Sequence, residues 1–136
     1  MKIVLDTNCF LRAVPNKSDY HCILTALRQG RYTLCFSNDI LMEYEEMLLR
    51  FYSKQTAVHI LNFLYYSIHT LMIVPYFQWD MMIVDPDDNK FVDCALNAGV
   101  DYLVTNDRHF NILKSVDFPP IQVIDMDTFR KIILMG

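Results

Sequence analysis

The 136 residues make one ordinary domain, 1–136, long enough for a single core that buries about two-thirds of the unfolded surface. Twelve basic against 16 acidic residues leave a net charge of -4, which excludes a general basic field able to hold a polyanion by counterion release. The four cysteines, Cys9, Cys22, Cys35 and Cys94, form no CxxC or Cys/His pair and are expected to be reduced core thiols. The apolar stretch at the start is too short for a signal peptide, so Met1 onward is read as mature sequence of a cytoplasmic protein.

In chain order, Lys2-Ile3-Val4-Leu5 predicts a strand that stops abruptly on Asp6-Thr7-Asn8. A helix from Asp19 to Arg28, a strand at YTLCF and a helix from Asn38 to Phe51 follow. Gln55 through Trp79 carries no Asp, Glu, Lys or Arg, yet its His, Asn, Pro and Gln residues argue against a membrane span. It reads instead as an amphipathic helix from about Thr56 to Ile68 and a buried strand at TLMIV, with its many aromatics expected in the core or else at a partner surface. The chain continues with a helix from Asp88 to Ala98, a strand at YLVT, a short helix from Arg108 to Lys114, a strand at IQVI and a helix from Asp127 to Leu134.

This alternation predicts an α/β fold of three layers, α/β/α, with a central parallel sheet of four to five strands. With three glycines and no GxGxxG or P-loop, a glycine-built nucleotide cradle is not expected. Ligands of such sheets sit outside the carboxyl ends of the strands. Asp6 and Asp107 follow two strands and project from one edge, while Asp85, Asp87 and Asp88 lie in a loop entering a helix. On the helix from Asn38, the arc Ile40, Leu41, Tyr44, Met47, Leu48 and Phe51 leaves Glu43 and Glu45 on opposite margins, and periodicity prefers Glu43 only slightly. Taken singly, each acid is an ordinary cap or surface charge. Several carboxylates crowded at one edge repel one another unless a hard cation compensates them, and oxygen ligands suit Mg²⁺ or Mn²⁺.

Four stretches, IVLDTN, SNDILMEYEEML, DDNKFVDCALNAGVDYLVTND and IQVIDMDTF, resemble the PIN domain, the nuclease domain of many toxin-antitoxin toxins. The resemblance covers nearly the whole chain, agrees with the fold read above and places the family's acidic positions on Asp6, Glu43, Asp88 and Asp107, selecting Glu43 over Glu45. It also implies that Asp93 assists the metal, against the alternative of a polar residue on the helix flank. Thr7, Asn8, Ser37, Thr105 and Asn106 would orient carboxylates and waters by hydrogen bonds. Arg12, Arg108, His109 and Lys114 come from segments near the same edge and are candidates for contact with flanking phosphates.

The expected function is a Mg²⁺- or Mn²⁺-dependent endoribonuclease, the toxin of a toxin-antitoxin pair, with RNA as substrate, an antitoxin as partner and a homodimer as a further expectation. One alternative is a phosphotransferase with an aspartyl-phosphate intermediate, which would show Asp-x-Asp-x-Thr where this chain has Asp6-Thr7-Asn8-Cys9. The other is a non-catalytic protein- or RNA-binding module, which would keep its binding when Asp6 or Asp107 is replaced by Asn.

Overall fold

The computed structural model describes residues 1–82, 85–115 and 120–136. Five strands, β1 (Lys2–Leu5), β2 (Thr33–Phe36), β3 (Thr70–Met72), β4 (Tyr102–Val104) and β5 (Val123–Ile124), form one sheet in the order β3-β2-β1-β4-β5. Every pairing is parallel, with Ile3 opposite Leu34 on one side and opposite Tyr102 on the other. Successive strand residues point to opposite faces. Because Ile3, Val4 and Leu5 are all buried, both faces of the sheet are covered, and the continuous apolar run of β1 is what a doubly covered central strand requires.

Among the described residues, six α-helices supply the cover: α1 (Thr7–Ala13), α2 (His21–Arg28), α3 (Asn38–Phe51), α4 (Lys54–Tyr66), α5 (Asn89–Ala98) and α6 (Met126–Met135). α5 packs on β1, β2 and β4, α1 contacts both α2 and α3, and α4 lies against α3. Helix starts follow side-chain caps: the hydroxyls of Ser37 and Ser53 accept from the N–H groups of Ile40 and Thr56, and the Asp125 carboxylate from Thr128. Tyr44 of α3 stacks on Phe10 of α1 at a centroid distance of 4.3 Å and donates its hydroxyl to the Leu5 carbonyl. α3 is thereby fixed to the end of β1, where the acids gather.

Several expectations are corrected. The run of elements read from the sequence names no helix between β1 and Asp19 and leaves only a cap at Asp6 or Thr7 open; α1 does begin there, one residue after Asp6, which caps it. TLMIV is not a buried strand. Only Thr70–Met72 of it is in the sheet, at the edge among the described strands, and Leu71 and Met72 are exposed. The aromatics around it are not core residues either: Tyr65, Tyr66, Tyr76 and Phe77 all face outward, whereas Phe63 is half-buried against the core. The short helix expected from Arg108 to Lys114 is present as a 3₁₀ helix, Arg108–Ser115. Cys9, Cys35 and Cys94 are buried free thiols as expected, and Cys22 is half-buried and also free. Among the described residues, no helix is long and apolar enough to cross a membrane.

Candidate metal centre

The chain runs outward from β1 through β2 to β3, then returns to β4 on the other side of β1, so the sheet reverses its winding between β1 and β4. A crevice opens at the carboxyl ends of two such strands. Asp6 follows β1 directly, and its N–H donates to the Val104 carbonyl at the end of β4 across a 3.0 Å bond. The Asp6 carboxylate is buried: Oδ1 caps α1 by accepting from Cys9 N–H at 2.9 Å, and Oδ2 accepts from the Thr105 hydroxyl. Thr105 Oγ1 in turn accepts from Asp107 N–H at 3.0 Å, so one buried hydroxyl sets two acids relative to each other.

Asp88 enters from the opposite wall. A short 3₁₀ turn, Pro86–Asp88, is started by Asp85, whose carboxylate accepts from Asp87 N–H, and it delivers Asp88 as the residue before α5. Asp88 Oδ2 is buried without a hydrogen-bond partner. Burial, then the charges of Asp85, Asp107, Asp6 and Asp87, push its carboxyl up to about 6. Burial likewise raises Asp6, against the opposing pull of Thr105 and Cys9 and with the repulsion of Asp107 added. A desolvated carboxylate oxygen with no donor, repelled by neighbouring acids, is a group whose charge calls for a cation.

Glu43 projects from the half-buried margin of α3, while Glu45 and Glu46 are solvent-exposed. Its Oε2 lies 2.8 Å from Lys90 Nζ, close enough for an ion pair although not aligned as a hydrogen bond. Lys90 Nζ is also 3.1 Å from Asp87 Oδ2. Burial alone would lower the Lys90 ammonium, but the two carboxylates outweigh it and raise it. Among the described residues, the acid and histidine side chains whose ligand atoms all come within 4.8 Å of one another are Asp85, Asp88 and His109. Asp6, Glu43 and Asp107 form no second group this tight. Asp6 and Asp107 lie near enough for their charges to act on Asp88, and Glu43 is paired with Lys90.

The remaining predicted residues divide by what they touch. Ser37 is occupied in capping α3, and Asn106 Oδ1 accepts from Met126 N–H at 3.0 Å, which seats the start of α6. Thr7 is buried with its hydroxyl unpartnered, and Asn8 is exposed. Asp93 is buried on α5. Its Oδ1 accepts from Trp79 N–H at 2.9 Å, and the carboxyl, raised chiefly by burial, feels Asp80 rather than the acids of the site. It belongs to a stripe along α5, Asn89, Asp93 and Asn97, that binds the backbone of Met82, Trp79, Tyr76 and Phe77. Arg12, Arg108 and Lys114 line one hollow of about 450 Å³ together with Asp107. Arg12 lies over the Tyr20 ring, and His109 donates its N–H to Asp107 Oδ1 at 2.9 Å.

Two participants escape sequence reasoning. Asp85 reads as one more loop acid, and Lys90 as a solvated lysine. A signal for Lys90 does exist, because the first turn of a helix is where the macrodipole disfavours a cation.

An all-parallel α/β sheet with carboxylates gathered around its switch point defines a class of folds with an acidic pocket suited to a hard divalent ion. The chain belongs to the PIN domain family, whose sequence model matches residues 2–109. Solved structures share the fold. VapBC2 from Rickettsia felis, bound to a DNA fragment from its promoter, is 18% identical with a TM-score of 0.64 over 92% of this chain and 98% of that one. VapC20 from Mycobacterium tuberculosis, a sarcin-ricin loop cleaving toxin, is 15% identical with a TM-score of 0.61 over 87% and 99%. FitAcB from Neisseria gonorrhoeae is 14% identical with a TM-score of 0.56 over 91% and 97%. No curated protein matches the chain in sequence.

Proposed function

We propose that this protein is a Mg²⁺- or Mn²⁺-dependent endoribonuclease, the toxin of a toxin-antitoxin pair. The observation that carries the reading is the buried, unpartnered Asp88 Oδ2, raised by the charges of Asp6 and Asp107 as well as by its own burial. Asp6, Glu43, Asp88 and Asp107 are the proposed ligands. All are oxygen donors, as a hard divalent ion prefers. When bound, such an ion activates a water and neutralises the departing oxygen of the scissile phosphodiester.

The protein's own residues do the rest. Thr105 and the cap to Cys9 fix Asp6, so that its carboxylate needs no reorganisation to bind. Thr105 also holds the backbone of Asp107. Arg12, Arg108 and Lys114, lining the hollow beside Asp107, are placed to contact phosphates on either side of the cut, and His109 stands at its rim. A bound cation reconciles an acidic chain with a polyanionic substrate by supplying positive charge where the phosphate sits. Similarity in fold to the sarcin-ricin loop cleaving toxin VapC20 supports RNA as substrate and toxicity as role. A cognate antitoxin and a homodimer complete the proposal, as does a cytoplasmic site of action.

The test is cleavage of a mixed cellular RNA pool by wild-type protein and by Asp6→Asn, each with Mg²⁺, Mn²⁺ or EDTA. Metal-dependent cutting that disappears in the variant is expected. Equal cutting in EDTA would exclude the mechanism, and no cutting by folded protein under any condition would favour a binding module. The outward-facing Tyr65, Tyr66, Tyr76 and Phe77 are the observation that favours that second reading.

A further inference from the structure

Among the described residues, Lys90 is the one cation in the wall of a hollow of about 480 Å³ whose other charged residues are Asp39, Glu43, Glu46 and Asp87. Its side chain is only 16% exposed, unlike an ordinary surface lysine. It sits in the first turn of α5, where the helix dipole opposes a positive charge and only Asp87 offsets it locally. Its ammonium has two seats, Glu43 Oε2 at 2.8 Å and Asp87 Oδ2 at 3.1 Å. These seats differ in kind: the Glu43 side chain is 24% exposed and belongs to the acidic site, whereas that of Asp87 is 75% exposed and stands outside it.

We propose that Lys90 is a resident counter-ion of the acidic site, a positioning residue that competes with the divalent cation for Glu43. The inference rests on the reading of the site as a divalent-cation centre. Without a divalent ion, Lys90 offsets the mutual repulsion of the acids and holds Glu43 against α5. When an ion takes Glu43, the ammonium keeps its bond to Asp87, three residues away on the same turn, and is not left buried without a partner. The seat on Asp87 makes the exchange possible without moving either helix.

The direction of the effect is therefore opposite to that of a lysine that merely braces Glu43 for the metal. Removing one unit charge from beside a divalent ion changes its affinity by about tenfold even through a water-like dielectric. Full-length wild type, Lys90→Met, Lys90→Arg, Glu43→Gln and the double variant Glu43→Gln/Lys90→Met are titrated with Mn²⁺ by calorimetry, and their melting is followed in EDTA. The expected result is that Lys90→Met binds Mn²⁺ about tenfold more tightly than wild type and melts at lower temperature in EDTA. Lys90→Arg, whose forked guanidinium grips a carboxylate more firmly, binds Mn²⁺ more weakly than wild type. In the Glu43→Gln background, the gain from Lys90→Met shrinks below about threefold, as a coupling through Glu43 demands.

Equal or weaker Mn²⁺ binding by Lys90→Met would overturn the proposal, as would a tenfold gain that persists without the Glu43 carboxylate or a gain in Lys90→Arg. Should Lys90→Met fail to fold, the Arg and Gln variants still decide, because a brace predicts that Lys90→Arg retains or improves binding and competition predicts that it weakens it. Absence of Mn²⁺ binding by folded wild type would overturn the divalent-cation reading itself, an outcome distinct from binding that ignores Lys90.

Discussion

Thr105 donates its buried hydroxyl to the Asp6 carboxylate, ninety-nine residues earlier in the chain. Because the same oxygen accepts from Asp107 N–H, one side chain spans the seam between β1 and β4 and spaces two acids. Thr105→Val keeps the shape and removes both bonds. The expected cost is about 1–3 kcal/mol of stability, with a loss of roughly 10–100-fold in RNA cleavage, the scale for partners that orient metal ligands. Chemical denaturation and initial cleavage rates measure the two effects, and unchanged cleavage would remove Thr105 from the site.

Asp6 has two roles that substitution can separate. Asn caps helices as well as Asp does, and Asp6→Asn retains an oxygen for Cys9 N–H. Its melting temperature should stay close to that of wild type while cleavage falls by at least ~100-fold. Asp6→Ala loses both roles and should unfold about 1 kcal/mol more easily. A comparably destabilised Asn variant would mean that the charge, not the cap, holds α1.

The Asp88 carboxyl ordinarily titrates at 3.8 and is raised to about 6 in the fold, by burial first and neighbouring acids second. Between those values the folded state binds more protons than the unfolded chain, so this group's contribution to stability declines as pH rises from about 4 to 6 and is level above. Asp6, raised in the same direction, adds to the trend. Saturating Mn²⁺ favours the deprotonated carboxylates, so Mn²⁺ affinity should fall below pH 6, by up to about tenfold per unit for each proton released. Melting curves across this range in EDTA check the first statement, with Asp88→Asn expected to flatten them. Calorimetric titrations check the second.

Two glycines adopt left-handed backbone, and they should respond differently to a methyl group. At Gly99, which ends α5 at φ +63, a Cβ meets nothing within 4 Å, so Gly99→Ala costs only the backbone strain of about 1 kcal/mol. At Gly30, φ +73, the added carbon falls 2.5 Å from His69 Cε1 and 2.8 Å from Nε2. The His69 carbonyl accepts from Leu34 N–H in the β2–β3 ladder, so displacement there loosens the sheet edge. Gly30→Ala should therefore be the more destabilising of the two in urea melts, and equal losses would show that the His69 ring moves aside freely.

Asn97 makes three bonds, accepting from Tyr76 N–H and donating to the carbonyls of Phe77 and Asp93. Asn97→Ala should raise amide exchange across 76–82 while leaving the centre of α5 protected. Asp93→Asn, which still presents an oxygen to Trp79 N–H, should leave that exchange and Mn²⁺ affinity close to wild type. A large drop in Mn²⁺ affinity would return Asp93 to the metal site.

Strand rhythm and the acids at strand ends were legible because apolar runs of four or five residues, each closed by a polar residue, leave few other readings. α1 was not, since seven residues with apolar Cys9, Phe10 and Leu11 continue the composition of β1, and only the Asp6 cap marks the change. The exposure of β3 was equally hidden. Leu71 and Met72 look like the residues of a central strand, and whether a strand is central or at an edge depends on pairing with residues far away in the chain. Lys90 escaped for a related reason: amid Asp85, Asp87 and Asp88 it resembles local charge balance, while the partner that gives it meaning, Glu43, lies on another helix.

The seam between β1 and β4 has a consequence for synthesis. β1 leaves the ribosome first and can pair with β2 early, but its other edge waits for Tyr102–Val104. Until Thr105 and Asp107 have emerged, Asp6 lacks its hydroxyl donor and its neighbouring acid, however well the first half of the chain has folded. A nascent chain halted before that point already contains Asp6, Glu43 and Asp88 but lacks Asp107, and so has no complete pocket.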